Sequence, residues 1–76
     1  MLALSELNEQ QRRFVRALLS CGGSGHARQV AHRLGKTPND VFSQHRKMPA
    51  GWVIADESGK IALTSAGRSA AEGDGE

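Results

Sequence analysis

The sequence predicts a small α+β domain: three helices, then a two-stranded β-hairpin and a short C-terminal helical turn. Three observations lead there. Between residues 8 and 48 apolar side chains recur three times at helical spacing, with residues suited to starting or ending a helix between the runs. The period then changes, because "WVIA" and "KIALT" are short and β-rich and are separated by the turn-forming "DESG". A length of 76 residues allows one domain with a modest core and leaves little room for an enclosed active site.

The first helix is read over residues 8–20, "NEQQRRFVRALLS". Asn8 suits the N-cap, and Gln11 three residues later completes a capping box. Phe14, Val15, Leu18 and Leu19 form its apolar face, and Arg12, Arg13 and Arg16 fall largely on the solvated side. "CGGSG" then breaks regular structure. A second helix is read over residues 26–34, where Ala27, Val30, Ala31 and Leu34 keep an i, i+3, i+4, i+7 rhythm. Gly35 is placed to end it in the left-handed conformation.

The third helix is read from Pro38 to about Met48. Thr37 is its N-cap, Pro38 suits the first helical position, and Asp40 sets a carboxylate against the helix dipole. So short a link between the second and third helices is the helix-turn-helix arrangement. Val41, Phe42, His45 and Met48 share one face of the third helix; Asn39, Ser43, Arg46 and Lys47 share the opposite one, with Gln44 at its edge. Pro49 and Gly51 end the helix and turn the chain into the hairpin, whose first strand Trp52 begins as a core residue. Thr64 can cap the last helical turn, "SAGRSAA", and "EGDGE" reads as a disordered acidic tail. The expected division is a domain over residues 1–71 and a tail over 72–76.

The formal net charge of +2 hides an uneven distribution. Residues 26–47 carry Arg28, Arg33, Lys36, Arg46 and Lys47 against the single carboxylate of Asp40, whereas the end of the chain carries Glu72, Asp74 and Glu76. A basic middle suits a polyanionic partner; it also suits a merely solvated helix surface. No apolar run approaches a membrane span, "MLALSELNEQ" lacks the layout of a signal peptide, and a single cysteine, Cys21, fits a reducing compartment, so a cytoplasmic location is expected. Enzyme chemistry is not expected. His26, His32 and Cys21 lack metal-site spacing, and no phosphate-binding loop, nucleophile elbow or paired carboxylates are present. Neither a cofactor nor a small-molecule ligand is implied.

"HARQVAHRLGKTPNDVFSQHRKM", "GWVIADESGKIALT" and "LTSAGR", in that order, resemble the paired helices, the wing hairpin and the Leu-Thr-x-x-Gly ending of the winged helix-turn-helix family of nucleic-acid-binding domains. The resemblance covers nearly the whole chain and is similar to that seen in MarR-like regulators and in winged domains of replication ATPases, without their flanking helices. It implies double-stranded DNA as partner and the third helix as the element that recognises it. Two departures stand out. "MPAGW" ends the recognition helix early, and the wing tip carries Asp56 and Glu57 where relatives commonly have cations, leaving Lys60 or Arg68 to contact DNA from that side.

A major groove admits one α-helix, whose cations hold phosphates while amide and guanidinium forks read base edges. On that logic Asn39 suits adenine, Arg46 guanine and Lys47 a phosphate, and Ser43 is a short donor or acceptor. Thr37 and the helix-start amides could hold a phosphate, and Arg28 could clamp the backbone. Structural alternatives stand beside these roles: Asn39 as a first-turn polar residue, Gln44 as merely solvated, Arg46 and Lys47 as complements to the helix C-terminus. Two functions are therefore carried forward. One is sequence-selective DNA binding, as a small transcriptional regulator or DNA-handling accessory. The other is a protein-interaction module within a larger assembly. A homodimer is left open, with Leu2, Leu4 and Leu7 as a surface that could form it.

Overall fold

A computed structural model describes residues 2–74, and in it four α-helices pack with a three-stranded antiparallel sheet. A 3-10 turn, Leu4–Glu6, leads into helix α1, Glu9–Ser20. Strand β1, Ser24–His26, follows, then α2, Ala27–Leu34, and α3, Pro38–Lys47. Strands β2, Val53–Ala55, and β3, Lys60–Leu63, form a hairpin, and α4, Ser65–Asp74, closes the chain. Among the described residues no helix is long and apolar enough to cross a membrane.

The helix boundaries follow from their caps. Asn8 and Gln11 form the expected reciprocal box, with Gln11 N–H donating to Asn8 Oδ1 at 2.8 Å and Asn8 N–H to Gln11 Oε1 at 2.9 Å. Thr37 and Asp40 do the same for α3. Gly35 ends α2 at φ +67°, in the left-handed region where only a residue without a Cβ is at ease. The four helical core positions of α1 and α2 that carry the largest apolar side chains, Phe14, Val15, Leu18 and Val30, have no exposed surface.

The sheet departs from a plain hairpin. Ser24–His26 pairs with β3 on the side opposite β2, giving the order β1-β3-β2, with Gly25 opposite Ile61 and Ala55 opposite Ile61 from the other side. "CGGSG" therefore does not end regular structure. Gly22 and Gly23, at φ +86° and +95°, turn the chain so that the next three residues lie along β3. His26, read as the first residue of the second helix, is instead the last residue of β1 and the N-cap of α2.

Three further expectations are corrected. The last helix is not a short turn but ten residues long and runs through residues 72–74 of the expected tail; residues 75–76 lie outside the described residues. Ala71 buried in the core and an Arg68–Glu72 ion pair one helical turn apart give it reason to continue. Trp52 precedes β2 rather than starting it, although it is fully buried, as expected of a core residue. Leu4 and Leu7 are 6% and 4% exposed, so these two of the three N-terminal leucines fill the domain's own core, and Leu2 packs partly buried against it.

Candidate nucleic-acid interface

Helix α3 spans about 15 Å at 1.5 Å per residue and is held at both ends. At its start, Thr37 N–H and Oγ1 both donate to Asp40 Oδ2, at 3.2 and 3.1 Å, and Asp40 N–H returns to Thr37 Oγ1 at 3.3 Å. At its end, Gln11 Nε2 of α1 donates to the Lys47 carbonyl at 3.2 Å, so the residue that caps α1 also satisfies an orphan carbonyl of α3. Val41 and Met48 enter the core, Phe42 packs partly buried against it, and His45 is half-buried.

This anchoring leaves one face free. Asn39, Ser43, Arg46 and Lys47 are all exposed, and at 100° per residue they fall within an arc of roughly 100°. None of the four makes a side-chain hydrogen bond or ion pair among the described residues. The face thus offers an amide, a hydroxyl, a guanidinium and an ammonium to a partner.

The other expected contact residues are placed differently. Gln44 is half-buried and its amide turns toward Gln10 of α1 at 3.5 Å, leaving the exposed face. Thr37 has its hydroxyl and N–H committed to Asp40, whose carboxylate already occupies the start of α3 where a phosphate would sit. Arg28 lines a groove with Ser20, Cys21, Gln29, His32 and Arg33, none of which belongs to α3. Arg68 is ion-paired with Glu72 at 2.9 Å and lies against Gly23, on a helix that packs on α1, β3 and the 3-10 turn. Lys60 is exposed at the start of β3. Its neighbour Gly59 lies beside Phe42, so the hairpin turn and α3 are adjacent.

At the hairpin tip Asp56 has a structural use. Asp56 Oδ1 accepts from Ser58 N–H at 2.9 Å, Ser58 Oγ at 2.6 Å and Lys60 N–H at 3.0 Å, so the carboxylate shapes the turn. His26 fastens that turn to α2. Its Nδ1 accepts from Arg28 N–H at 3.2 Å, which leaves the ring proton on Nε2 to donate to the Ser58 carbonyl at 3.0 Å. Gln11 thus ties the end of α3 to α1, and His26 ties the hairpin turn to the start of α2. Gln29, three residues after His26, is the sequence trace of the second capping box; nothing local marks the reach of Gln11 to Lys47.

The same turns predict an acid response. Asp40 is held below the 3.8 of an unperturbed aspartate, first by the Thr37 backbone N–H and then by its hydroxyl. Asp56 is held below that value, first by the Ser58 side chain and then by the Lys60 N–H. A carboxyl whose folded pKa is lowered contributes stability that is complete above its unfolded pKa and is lost as pH falls through the folded one. The melting temperature of the wild type should therefore fall on the acid side of about pH 4, and D40N/D56N should flatten that fall. Circular-dichroism melts from about pH 7 to pH 2 measure it. Parallel acid limbs for the two proteins would remove these carboxyls as its cause.

Among the described residues no group of three or more His, Cys, Asp or Glu side chains is gathered for a metal ion. Comparison with known protein families, with characterised proteins and with solved structures finds no match to this chain.

Proposed function

We propose that this chain is a winged helix-turn-helix module that binds double-stranded DNA with sequence selectivity, serving in the cytoplasm as a small transcriptional regulator or DNA-handling accessory. The observation that carries this reading is the exposed, unpartnered face of Asn39, Ser43, Arg46 and Lys47 on a helix whose opposite side is locked into the core. The order of elements, with a short link at residues 35–37 between α2 and α3 and an antiparallel hairpin after them, supports it. In this reading α3 enters the major groove, Arg46 forks onto a guanine edge, Asn39 onto an adenine edge, and Lys47 holds a phosphate. Lys60 on the adjacent hairpin is the cation available for a flanking phosphate. Neither a cofactor nor a small-molecule ligand takes part.

Binding to a selected duplex, titrated over a salt series, tests the reading. Log K should fall with log[salt] by roughly 0.9 per phosphate neutralised. Lys47→Ala should weaken all sequences alike, whereas Arg46→Ala should cost about 1–3 kcal/mol and relax selectivity at one base pair. A salt-independent affinity refutes the reading, and an Arg46→Ala effect equal on every sequence makes Arg46 a phosphate contact.

One observation favours the second reading, a protein-interaction module. Ile54 is 61% exposed on the edge strand β2 and is the one large apolar side chain so exposed among the described residues. It shares the outer sheet face with Ala62 and Ser24. Amide shifts confined to residues 52–63 on adding a protein partner, with none in residues 37–47 on adding duplex, would select that reading.

A further inference from the structure

The basic side chains of this chain are divided between two surfaces, and the α3 face holds the smaller share. Arg12, Arg13, Arg16, Arg28 and Arg33 account for five of the ten Lys and Arg residues, and all five lie on α1 and α2. They line three depressions that run into one another. The first, beside the 3-10 turn, shares Arg13 and Arg16 with the second; the second shares Ser20, His32 and Arg33 with the third, which Arg28 completes. The second and third make a furrow between α1 and α2, and the first adjoins its Arg13 and Arg16 edge from the side of the 3-10 turn. Among the described residues Glu9 is the only carboxylate that lines these depressions, and its pairing with Arg13 joins side chains 73% and 70% exposed, where screening leaves little net energy. Arg16, Arg28 and Arg33 have no ion pair among the described residues.

We propose that this furrow binds the phosphate backbone of a nucleic-acid duplex other than the one held by α3, so that one molecule can bridge two DNA segments. The binding by the furrow stands on its own residues; the bridging rests on the reading of α3 given above.

Three features select a phosphate backbone as the occupant. The cations are all arginines, whose planar forks match phosphate oxygens two at a time. From Arg13 to Ser20, α1 rises about 10 Å, the length over which one strand of a duplex presents roughly three phosphates. The furrow's lining holds no Phe, Tyr or Trp, the imidazole of His32 being its single ring, and no exposed large apolar side chain of the kind that anchors a protein interface. A regular polyanion asks for neither. The lining residues are also distinct from Asn39, Ser43, Arg46 and Lys47, so occupation of one surface does not use the side chains of the other.

The experiment is capture of a fluorescent duplex on an immobilised one at low salt, run beside anisotropy titrations with a single duplex. Wild-type protein should retain the fluorescent duplex. R16Q/R33Q should lower retention by about tenfold while still binding a single duplex through α3. R46Q/K47Q should lower retention and abolish selectivity. Retention unchanged in R16Q/R33Q overturns the proposal, because bridging then comes from self-association. Wild-type binding without retention overturns it as well. If R46Q/K47Q leaves single-duplex binding intact and R16Q/R33Q abolishes it, the α3 reading fails and the furrow stands as the binding surface. Should R16Q/R33Q melt lower than wild type, amide shift mapping of the wild type replaces it. Shifts in residues 13–33 with duplex support the furrow. Shifts there with a glutamate-rich peptide and none with duplex assign it to an acidic protein partner and overturn the proposal.

Discussion

Trp52→Ala should leave this domain largely unfolded near physiological temperature. Trp52 is the largest of the side chains with no exposed surface, and it belongs to the same core cluster as Phe14, Leu18 and Ile61. Truncating a buried tryptophan costs about 3–5 kcal/mol, part lost transfer energy and part cavity. A 76-residue domain has a total stability toward the lower end of about 5–15 kcal/mol, so the loss is comparable with the whole. The expected fall in melting temperature is about 15–30 °C, read by far-UV circular dichroism because the variant has lost the chain's single tryptophan. Trp52→Phe separates the causes. The indole Nε1 is buried without a hydrogen-bond partner among the described residues, so phenylalanine removes an unsatisfied donor and keeps most of the packing. It should therefore cost well under half as much as alanine. Equal losses for the two substitutions would mean that the indole N–H contributes and that packing is not the main effect.

Much of this architecture was legible because helix boundaries are written in local chemistry. Asn8 with Gln11, Thr37 with Pro38 and Asp40, and Gly35 each act within one turn, and each cap falls where the residue types require it. The free face of α3 was legible for a related reason: the 3.6-residue period separates Val41 and Met48 from Asn39, Ser43, Arg46 and Lys47 without knowledge of what they pack on. Strand β1 was not. Ser-Gly-His has no strand pattern of its own, and it is extended because β3 presents a second edge to pair with. The burial of Leu4 and Leu7 depends on where α4 and the 3-10 turn meet, which no local period reveals. The same limit applies to the site. Arg28 lies in the basic middle of the sequence and Arg68 just after the hairpin, but α2 turns the first toward a groove with α1 and α4 pairs the second with Glu72. Arg12, Arg13 and Arg16 read as a solvated helix face, and only the packing of α2 beside α1 sets Arg33 and His32 against them.

The "LTSAGR" ending carries the second large effect, at Gly67. A Cβ built on Gly67 would lie 2.6 Å from the Trp52 carbonyl oxygen and 3.2 Å from Thr64 Oγ1. Neither neighbour is free to move. The Trp52 carbonyl accepts from Thr64 N–H at 3.0 Å, and Thr64 Oγ1 accepts from Gly67 N–H at 2.9 Å while donating to the Gly51 carbonyl. Glycine thus lets the first turn of α4 rest directly on the backbone ahead of β2, and the threonine three residues earlier, bonded to its N–H, holds it there. Helix propensity alone argues the other way, since alanine is favoured over glycine inside a helix by about 1 kcal/mol. The contact should win, because a side chain forced against pinned backbone costs about 1–3 kcal/mol and at times more. Gly67→Ala is expected to destabilise by about 2 kcal/mol net, the upper end of that cost less the propensity gain, a fall in melting temperature of about 8–16 °C. Gly73→Ala supplies the matching control in the same helix. Nothing among the described residues lies within 4 Å of its Cβ position, so propensity is the effect expected, and the melting temperature should hold or rise by a few degrees, about 2–6 °C at most. If both substitutions stabilise, α4 does not rest on the Trp52 carbonyl. If Gly67→Ala alone destabilises, the spacing of Thr64 and Gly67 is set by that contact, and the ending of the chain is a packing device that fixes the base of the hairpin beside α3.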